Sequence, residues 1–356
     1  MQRIHCDTIV VGGGLEGSLL ALHWARSGQR VILLDPGRPR DPDSPYDRWV
    51  CSPFVYSALH WEWIQRSLDF WRHWRALNFH DGVALAARES TSWARLSQQL
   101  EERRLAARPL PDERLGELQL ERSLGAYYFE SLPWLNVAGL VEAWWNELQR
   151  LGQGPWADTP VMQVDWEHEH PTAVTRDTIV RGKRLVLAGS AATRRHLGQE
   201  LPELHADHLW LEGSPQLEKP LVEPPAAAWV HYARAPLYLC AGLQRWGLGR
   251  LGVCDEDKAE LQFLNEARQR WWRCGFAESQ VFQVRVDGLR DGLPALDSHS
   301  WRSDALWLAG VGQSHWPWLP QLAEALLDPA LALPEELKPA RLAPAAAAVE
   351  ALAQRG

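Results

Sequence analysis

The chain has 356 residues, more than one core usually serves, and is 46% hydrophobic and 23% charged, the balance of a soluble globular protein with two closely joined domains. The net charge of −8 argues against nucleic acid as the main partner, and no run approaches the ~20 apolar residues of a membrane helix. Five scattered cysteines without CxxC spacing fit free thiols in a reducing compartment. The opening "MQRIHCDTIVVGGG" has too short an apolar part for a secretory leader, so the expected location is cytoplasmic. The His168/His170 and His205/His208 pairs lack a completing Cys or His cluster, so no metal is expected. The 21 tryptophans are unusual; most read as core filling, some as walls for a flat ligand.

Residues 7–11, "DTIVV", predict a short buried parallel strand. The glycine turn "GGGLEG" follows. Apolar residues at Leu15, Leu19, Leu22 and Ala25 then mark a helix stopped by Gly28. "RVILLD" is a second strand, ending in Asp35. The prolines and aspartates of residues 36–53 predict a long loop. A Trp-rich helix is expected over about 55–77, with Leu59, Trp63, Trp71 and Trp74 near one face. Residues 96–108 read as a charged helix or an exposed helical hairpin. "AYYFESLPWLN" reads as strand and turn, "VAGLVEAWWNELQRLG" as a helix closed by Gly152, and "TPVMQVDW" and "TAVTRDTIVRGKRLVLAGS" as strands. Between about 201 and 287 the segments "HLWLEG", "AAWVHYAR", "PLYLCAGL", "GLGRLGVC" and "QVFQVRVDG" suit an antiparallel sheet, interrupted by a helix in "EDKAELQFLNEARQRWWRCGF". "DALWLAG" returns to a buried strand, and Leu319, Leu322, Ala325 and Leu326 mark a following helix. The Ala/Pro-rich tail is expected to be partly ordered.

Gly12, Gly14 and Gly17 form G-x-G-x-x-G between a strand and a helix, with Asp35 at the end of the next strand. The first glycine permits the tight turn, the second lets backbone approach a pyrophosphate, and the third lets helix pack on strand. Helix N–H groups favour the diphosphate, and the Asp35 carboxylate suits ribose hydroxyls. This combination predicts a dinucleotide site. An NAD domain would continue with alternating strands and helices. Here the chain leaves for a long loop and Trp-rich helices, and "RLVLAGS" and "ALWLAGVG" return much later, which suits FAD.

These pieces resemble the D-amino acid oxidase/glycine oxidase (DAO) family of FAD-dependent oxidoreductases, from residue 7 to about 342. The likeness rests on "VVGGGLEGSLLALHWARSGQRVILLD", "PVMQVDW" with "VTRDTIVRGKRLVLAGS", "ELPELHADHLWLEG", "VDGLRDGLPALD", "ALWLAGVGQSHWPWLPQLAEALL" and "PEELKPARL", in that order. It implies an α/β architecture: a glutathione-reductase-like, Rossmann-type FAD-binding domain of residues 1–75, 134–200 and 284–345. An antiparallel-sheet α+β substrate domain of 76–133 and 201–283 is interleaved with it, and 346–356 form a tail.

The expected FAD contacts are Gly12, Gly14, Leu15, Glu16, Gly17, Asp35, Val161 near the adenine, Ala188 and Gly189, then Gly310, Gly312, Ser314, His315 and Trp316 by the flavin. Arg48 is expected to approach the diphosphate, and Trp49 or Cys51 the ring. The catalytic candidates are Arg290, His315 and Gln313. Arg290 sits in "GLRD", where the family's "GLRP" arginine holds a substrate carboxylate by a bidentate pair. Gln313 stands where a second arginine can occur. His315 would supply positive charge near the ring. "GVGQSHWPWLP" departs from the family's "GHFRNGILLAP" pattern, and Pro317 and Pro320 each remove a backbone N–H there.

The implied chemistry is hydride removal from the carbon next to an amine, passed to flavin N5, with release of an imine. The expected partner is a small amine or amino acid, with a peptide or protein substrate also open. Two alternatives stand beside it: an FAD-dependent hydroxy-acid dehydrogenase or tailoring enzyme, and a non-catalytic flavin-binding subunit. Glu16 is unusual where small or apolar residues prevail. A diphosphate would repel its carboxylate, so the expectation is that it points away, toward Arg48 or another arginine.

Overall fold

Strand β1, Gln2–Val11, begins earlier than "DTIVV" suggests. Its first half is partly exposed, and from Thr8 to Val11 every residue is buried, as a strand covered on both faces requires. The computed structural model describes residues 1–39, 48–50, 58–73, 79–87, 90–103, 106–117, 124–167, 169–197, 203–215, 227–231, 237–241, 246–250, 276–289, 293–299, 302–327 and 337–338. The chain forms two compact units. The first comprises Met1–Pro39, Val141–Leu204 and Asp287–Gly356, and the second Arg40–Leu140 and His205–Val286.

In chain order the strands after β1 are β2 (Val31–Leu34), β3 (Arg48–Val50), β4 (Phe79–Ala87), β5 (Arg108–Pro109), β6 (Gly125–Asn136), β7 (Gln163–Asp165), β8 (Thr172–Val174) and β9 (Thr178–Ala188). They continue with β10 (Glu203–Pro215), β11 (Ala227–His231), β12 (Leu237–Ala241), β13 (Trp246–Arg250), β14 (Phe276–Leu289), β15 (Ala295–His299) and β16 (Arg302–Ala309). The helices include α1 (Leu15–Arg26), α2 (Ala58–His73), α3 (Ser90–Arg103), α4 (Asp112–Glu117), α5 (Val137–Arg150) and α6 (Ser190–His196).

The first unit holds a mixed sheet of seven described strands, ordered β15-β16-β9-β1-β2, with β7 and β8 paired beside β9. β2, β1, β9 and β16 run parallel, and their last residues stand side by side: Val11 opposite Leu34 and Leu187, Ala188 opposite Leu308. Ile9, Val11, Ile32, Leu34, Leu185 and Leu187 share one core cluster. Helix α1 makes the crossover from β1 to β2. It is buried nearly all round, including Leu20, Ala21 and Trp24 beyond the stripe expected from spacing. It stops at Ser27 and Gly28, where Gly28 (φ 82°) donates to Ala25 O and Gln29 N to Trp24 O. The outer edge of β2 is covered rather than exposed: Val31 N donates to Gln153 Oε1, and Trp156 exchanges bonds with Leu33 and Asp35.

In the second unit, β14-β10-β13-β12-β11-β4-β6-β3, with β5 on β6, make a sheet of nine described strands. The spacing within 201–287 accounts for β10 to β14, and β10 to β13 pair antiparallel where expected. The exception is β11 on β4, which is parallel. β4 was not expected as a strand. Its residues Val83–Ala87 are almost wholly buried between β6 and β11. α2, described over Ala58–His73 of the expected 55–77, buries Ile64, Ser67, Leu68 and Trp71 on one stripe. α3 replaces the expectation for 96–108, starting and ending earlier because its charged residues mark no period. Of the expected helix in 256–276 only Phe276 is described, as the first residue of β14, and of the tail after residue 327 only Leu337 and Lys338 are described.

Candidate functional site

The four parallel strands end in four turns that face one cleft of about 630 Å³. Val11 and Gly12 contribute from β1, Leu34 and Asp35 from β2, Ala188 and Gly189 from β9, and Gly312 from the turn after β16. Pro160 and Val161 close one side, and Arg194, Arg195 and His196 of α6 another. Clefts at the carboxyl ends of parallel strands are where open α/β sheets take ligands.

The first turn is locked by its own backbone. Gly12 has φ 103°, and a Cβ there would collide with the Ala188 carbonyl oxygen; a Cβ on Gly17 would collide with Gly12 O. Gly12 N donates to Leu34 O at 2.9 Å and Ser18 Oγ to Gly13 O at 2.9 Å. Trp145 Nε1 in turn donates to Ser18 Oγ at 2.9 Å. The Asp35 carboxylate accepts Gly13 N at 2.5 Å and Gly37 N at 2.8 Å, tying the turn to the end of β2. Gly14 stands at the N-cap of α1 and supplies no side-chain cap. The cap residue itself therefore puts no side chain between the first-turn N–H groups and an anion.

A second lock joins β9 to β16. Gly189 (φ 93°) donates its N–H to Leu308 O at 2.9 Å, and Gly310 N donates to Ser190 Oγ at 2.9 Å. Thr193 Oγ1 bonds Gly189 O at 2.9 Å. Ser18, Trp145, Ser190 and Thr193 were not singled out in the sequence. The two serines directly follow the glycine motifs, a signal open to use, whereas nothing local marks Trp145.

Of the expected site residues, Gly12, Gly14, Glu16, Asp35, Val161, Ala188, Gly189 and Gly312 line the cleft together. Leu15 is buried in the core at the start of α1, and Gly17 lies where helix meets strand. Gly310 (φ 78°) serves the β9–β16 lock. Gln313 and Ser314 are in the short helix Gly312–His315, and a 3-10 turn, Trp316–Trp318, and a helix, Leu319–Leu327, follow. His315 is 4% exposed and meets Trp318 edge-on at 5.3 Å; Trp316 and Pro317 are buried. Arg48 and Trp49 lie on β3 of the second unit, paired with Asn136 and Leu135. Arg290 and Cys51 fall outside the described residues.

Glu16 does not point away. It faces the cleft, its carboxylate turns back toward its own backbone N–H, and Oε2 comes within 3.5 Å of where a Cβ on Gly14 would stand. Burial pushes its pKa up and that N–H pulls it down. The donor described for this carboxylate is within its own residue; the side chain of Arg48, the arginine expected to meet it, lies outside what is described. On α6, burial and then the Arg195 charge push His196 down to about 4.

No curated protein matches the chain. Among solved structures, iminodiacetate oxidase from Chelativorans sp. BNC1 is similar at 15% identity and TM-score 0.73, over 94% of this chain and 99% of that one. Glycine oxidase from Geobacillus kaustophilus is similar at 15% identity and TM-score 0.70, over 91% and 94%. L-amino acid deaminase from Proteus vulgaris is similar at 14% identity and TM-score 0.71, over 95% and 94%. Such identities carry the fold alone. The DAO model, FAD dependent oxidoreductase, matches residues 7–328. The chain therefore belongs to the DAO family of FAD-dependent oxidoreductases, and its cofactor is FAD.

Proposed function

We propose that this enzyme oxidises the carbon–nitrogen bond of a small amine or amino acid, and that the cleft of the first unit seats the ADP half of FAD. The observation that carries the reading is the convergence of Gly12, Asp35, Gly189 and Gly312 from four parallel strand ends on that one cleft. The residues fit the group. The close backbone approach at Gly12 excludes a side chain, α1 opens from Gly14 with no side-chain cap from that residue, and Val161 offers an apolar wall. Glu16 is the one member at odds with a diphosphate.

In this reading Gly12, Gly14, Leu15 and Gly17 hold the diphosphate through backbone. Asp35 accepts ribose hydroxyls with the lone pairs that Gly13 and Gly37 leave over. Val161, Ala188 and Gly189 flank the adenosine. Gly310, Gly312, Ser314, His315 and Trp316 belong to the flavin side, and Gln313 is a candidate for the substrate. Arg290 pairs with the substrate carboxylate and fixes which C–H is presented. Bound FAD supplies the two-electron acceptor. The chain's task is orientation and charge placement. The first unit is then the cofactor-binding part and the second the substrate-binding part. The similar structures named for glycine, iminodiacetate and L-amino acids favour an amine-bearing acid as the substrate class.

The test is anaerobic mixing of the FAD-loaded protein with amines, amino acids and hydroxy acids while its visible band is followed. Bleaching by an amine or amino acid is expected. Bleaching by hydroxy acids alone contradicts the amine chemistry, and a chain that retains no FAD contradicts the cofactor assignment as well.

A further inference from the structure

We propose that Glu16 makes FAD uptake proton-coupled: its carboxylate lies on the diphosphate seat at the start of α1, and the cofactor enters as that carboxylate takes up a proton. The proposal rests on the reading of the cleft as the seat of the ADP half.

Three observations place the side chain there. Glu16 is in the first turn of α1, lines the cleft and is turned toward its own N–H, one of the groups an anion at this terminus would use. Its Oε2 reaches over Gly14, 3.5 Å from the position a Cβ would take. That glycine's missing side chain is what permits a pyrophosphate to approach. α1 has no other side-chain cap at Gly14, so the carboxylate and a diphosphate compete for one terminus. Burial already works against the charged form of Glu16, and an incoming dianion adds repulsion of the same sign.

Among the described residues, the other charged or titratable groups facing the cleft are Asp35 after β2 and Arg194, Arg195 and His196 on α6. His196, held down at about 4, is neutral in the neutral and alkaline range. The Asp35 bonds to Gly13 and Gly37 do not involve Glu16, so Asp35 is common to wild type and a Glu16 variant and the difference between the two isolates Glu16.

The experiment titrates the FAD-free full chain with FAD, followed by flavin fluorescence, between about pH 6 and about pH 9, for wild type, Glu16→Gln and Glu16→Leu. Wild-type Kd should rise with pH, by up to about tenfold per unit where Glu16 titrates, while both variants stay nearly flat and bind at least about tenfold tighter at the alkaline end. Calorimetry in two buffers of different ionisation enthalpy should record proton uptake on binding by wild type and none by Glu16→Gln. A purely structural Glu16 would not move that quantity. Equal slopes in all three chains, a wild type without pH dependence, or weaker binding by Glu16→Gln overturns the role of Glu16 and leaves the cofactor cleft standing. Absence of FAD binding at every pH overturns both.

Discussion

The turn after β1 and the turn after β16 both leave a parallel strand through glycine and both send a residue to the same cleft, yet they are held in different ways. Around Gly12 and Gly17 backbone meets backbone: an added Cβ collides with Ala188 O or Gly12 O, and no change of rotamer relieves it. After β16 the glycines are followed by bulk. His315, Trp316, Pro317 and Trp318 are buried, and His315 packs against the edge of Trp318. The first turn opens a helix of 12 residues from a glycine cap that brings no side chain of its own. The last passes through a four-residue helix and a 3-10 turn containing proline before the next helix begins. One turn is specified by absent side chains and the other by large ones. Substitutions should therefore hurt the first through cofactor binding and the second through stability.

The sharpest break in that contrast is Trp318→Ala. It empties a site only 1% exposed and should lower stability by roughly 3–5 kcal/mol, seen as a drop in melting temperature. A small shift would mean that the last turn does not depend on side-chain bulk. Next is Gly17→Ala, which forces helix and strand apart at Gly12 O. A stability loss of roughly 1–3 kcal/mol is expected, together with loss of FAD from the purified protein. Retention of FAD at wild-type affinity would break the backbone account of the first turn.

His196 gives a pH test of the wall between the two turns. Its folded pKa, about 4, lies below the ordinary 6.5, so the folded state resists its protonation. Stability is highest with the ring neutral and declines as pH falls from about 6.5 toward about 4, by on the order of 2 kcal/mol. His196→Asn should flatten that part of a stability–pH profile; an unchanged slope would contradict the burial of the ring.

The smallest effect belongs to Asp7, on β1 well before the turn. The Lys183 hydrogen bond, and then the Arg30 backbone N–H, hold its pKa low, with Lys183 Nζ at 2.7 Å. Its contribution is present above the unfolded pKa and fades as pH falls through the lower folded value. The pair is exposed to solvent, so Asp7→Asn should change the melting temperature only marginally at neutral pH and not at all in acid. A large loss would show that the start of β1 matters as much as its end.

The same contrast explains what the sequence let one read. Glycine requirements are local and contiguous, so Gly12, Gly14, Gly17 and Asp35 declare themselves within one strand–helix–strand unit, and Ala188, Gly189 and Gly312 repeat the signal. Trp145 and Ser190 act through pairings with Ser18 and Gly310, which local patterns do not carry. β4 escaped notice because "GVALAA" has little β-branched character; its strand form comes from β6 and β11 on either side. The turn of the Glu16 carboxylate into the cleft and toward its own N–H is likewise not carried by local pattern. Arg290 and Cys51, outside the described residues, keep only their sequence-based expectation.

The most direct measurement of the central claim is a titration of the FAD-free chain with FAD, alone and against rising ADP. One FAD per chain should bind, and ADP should displace it competitively, if the cleft lined by Gly12, Asp35 and Val161 seats the part the two molecules share, as proposed. FAD binding that ADP leaves untouched would contradict the placement of the cofactor in this cleft.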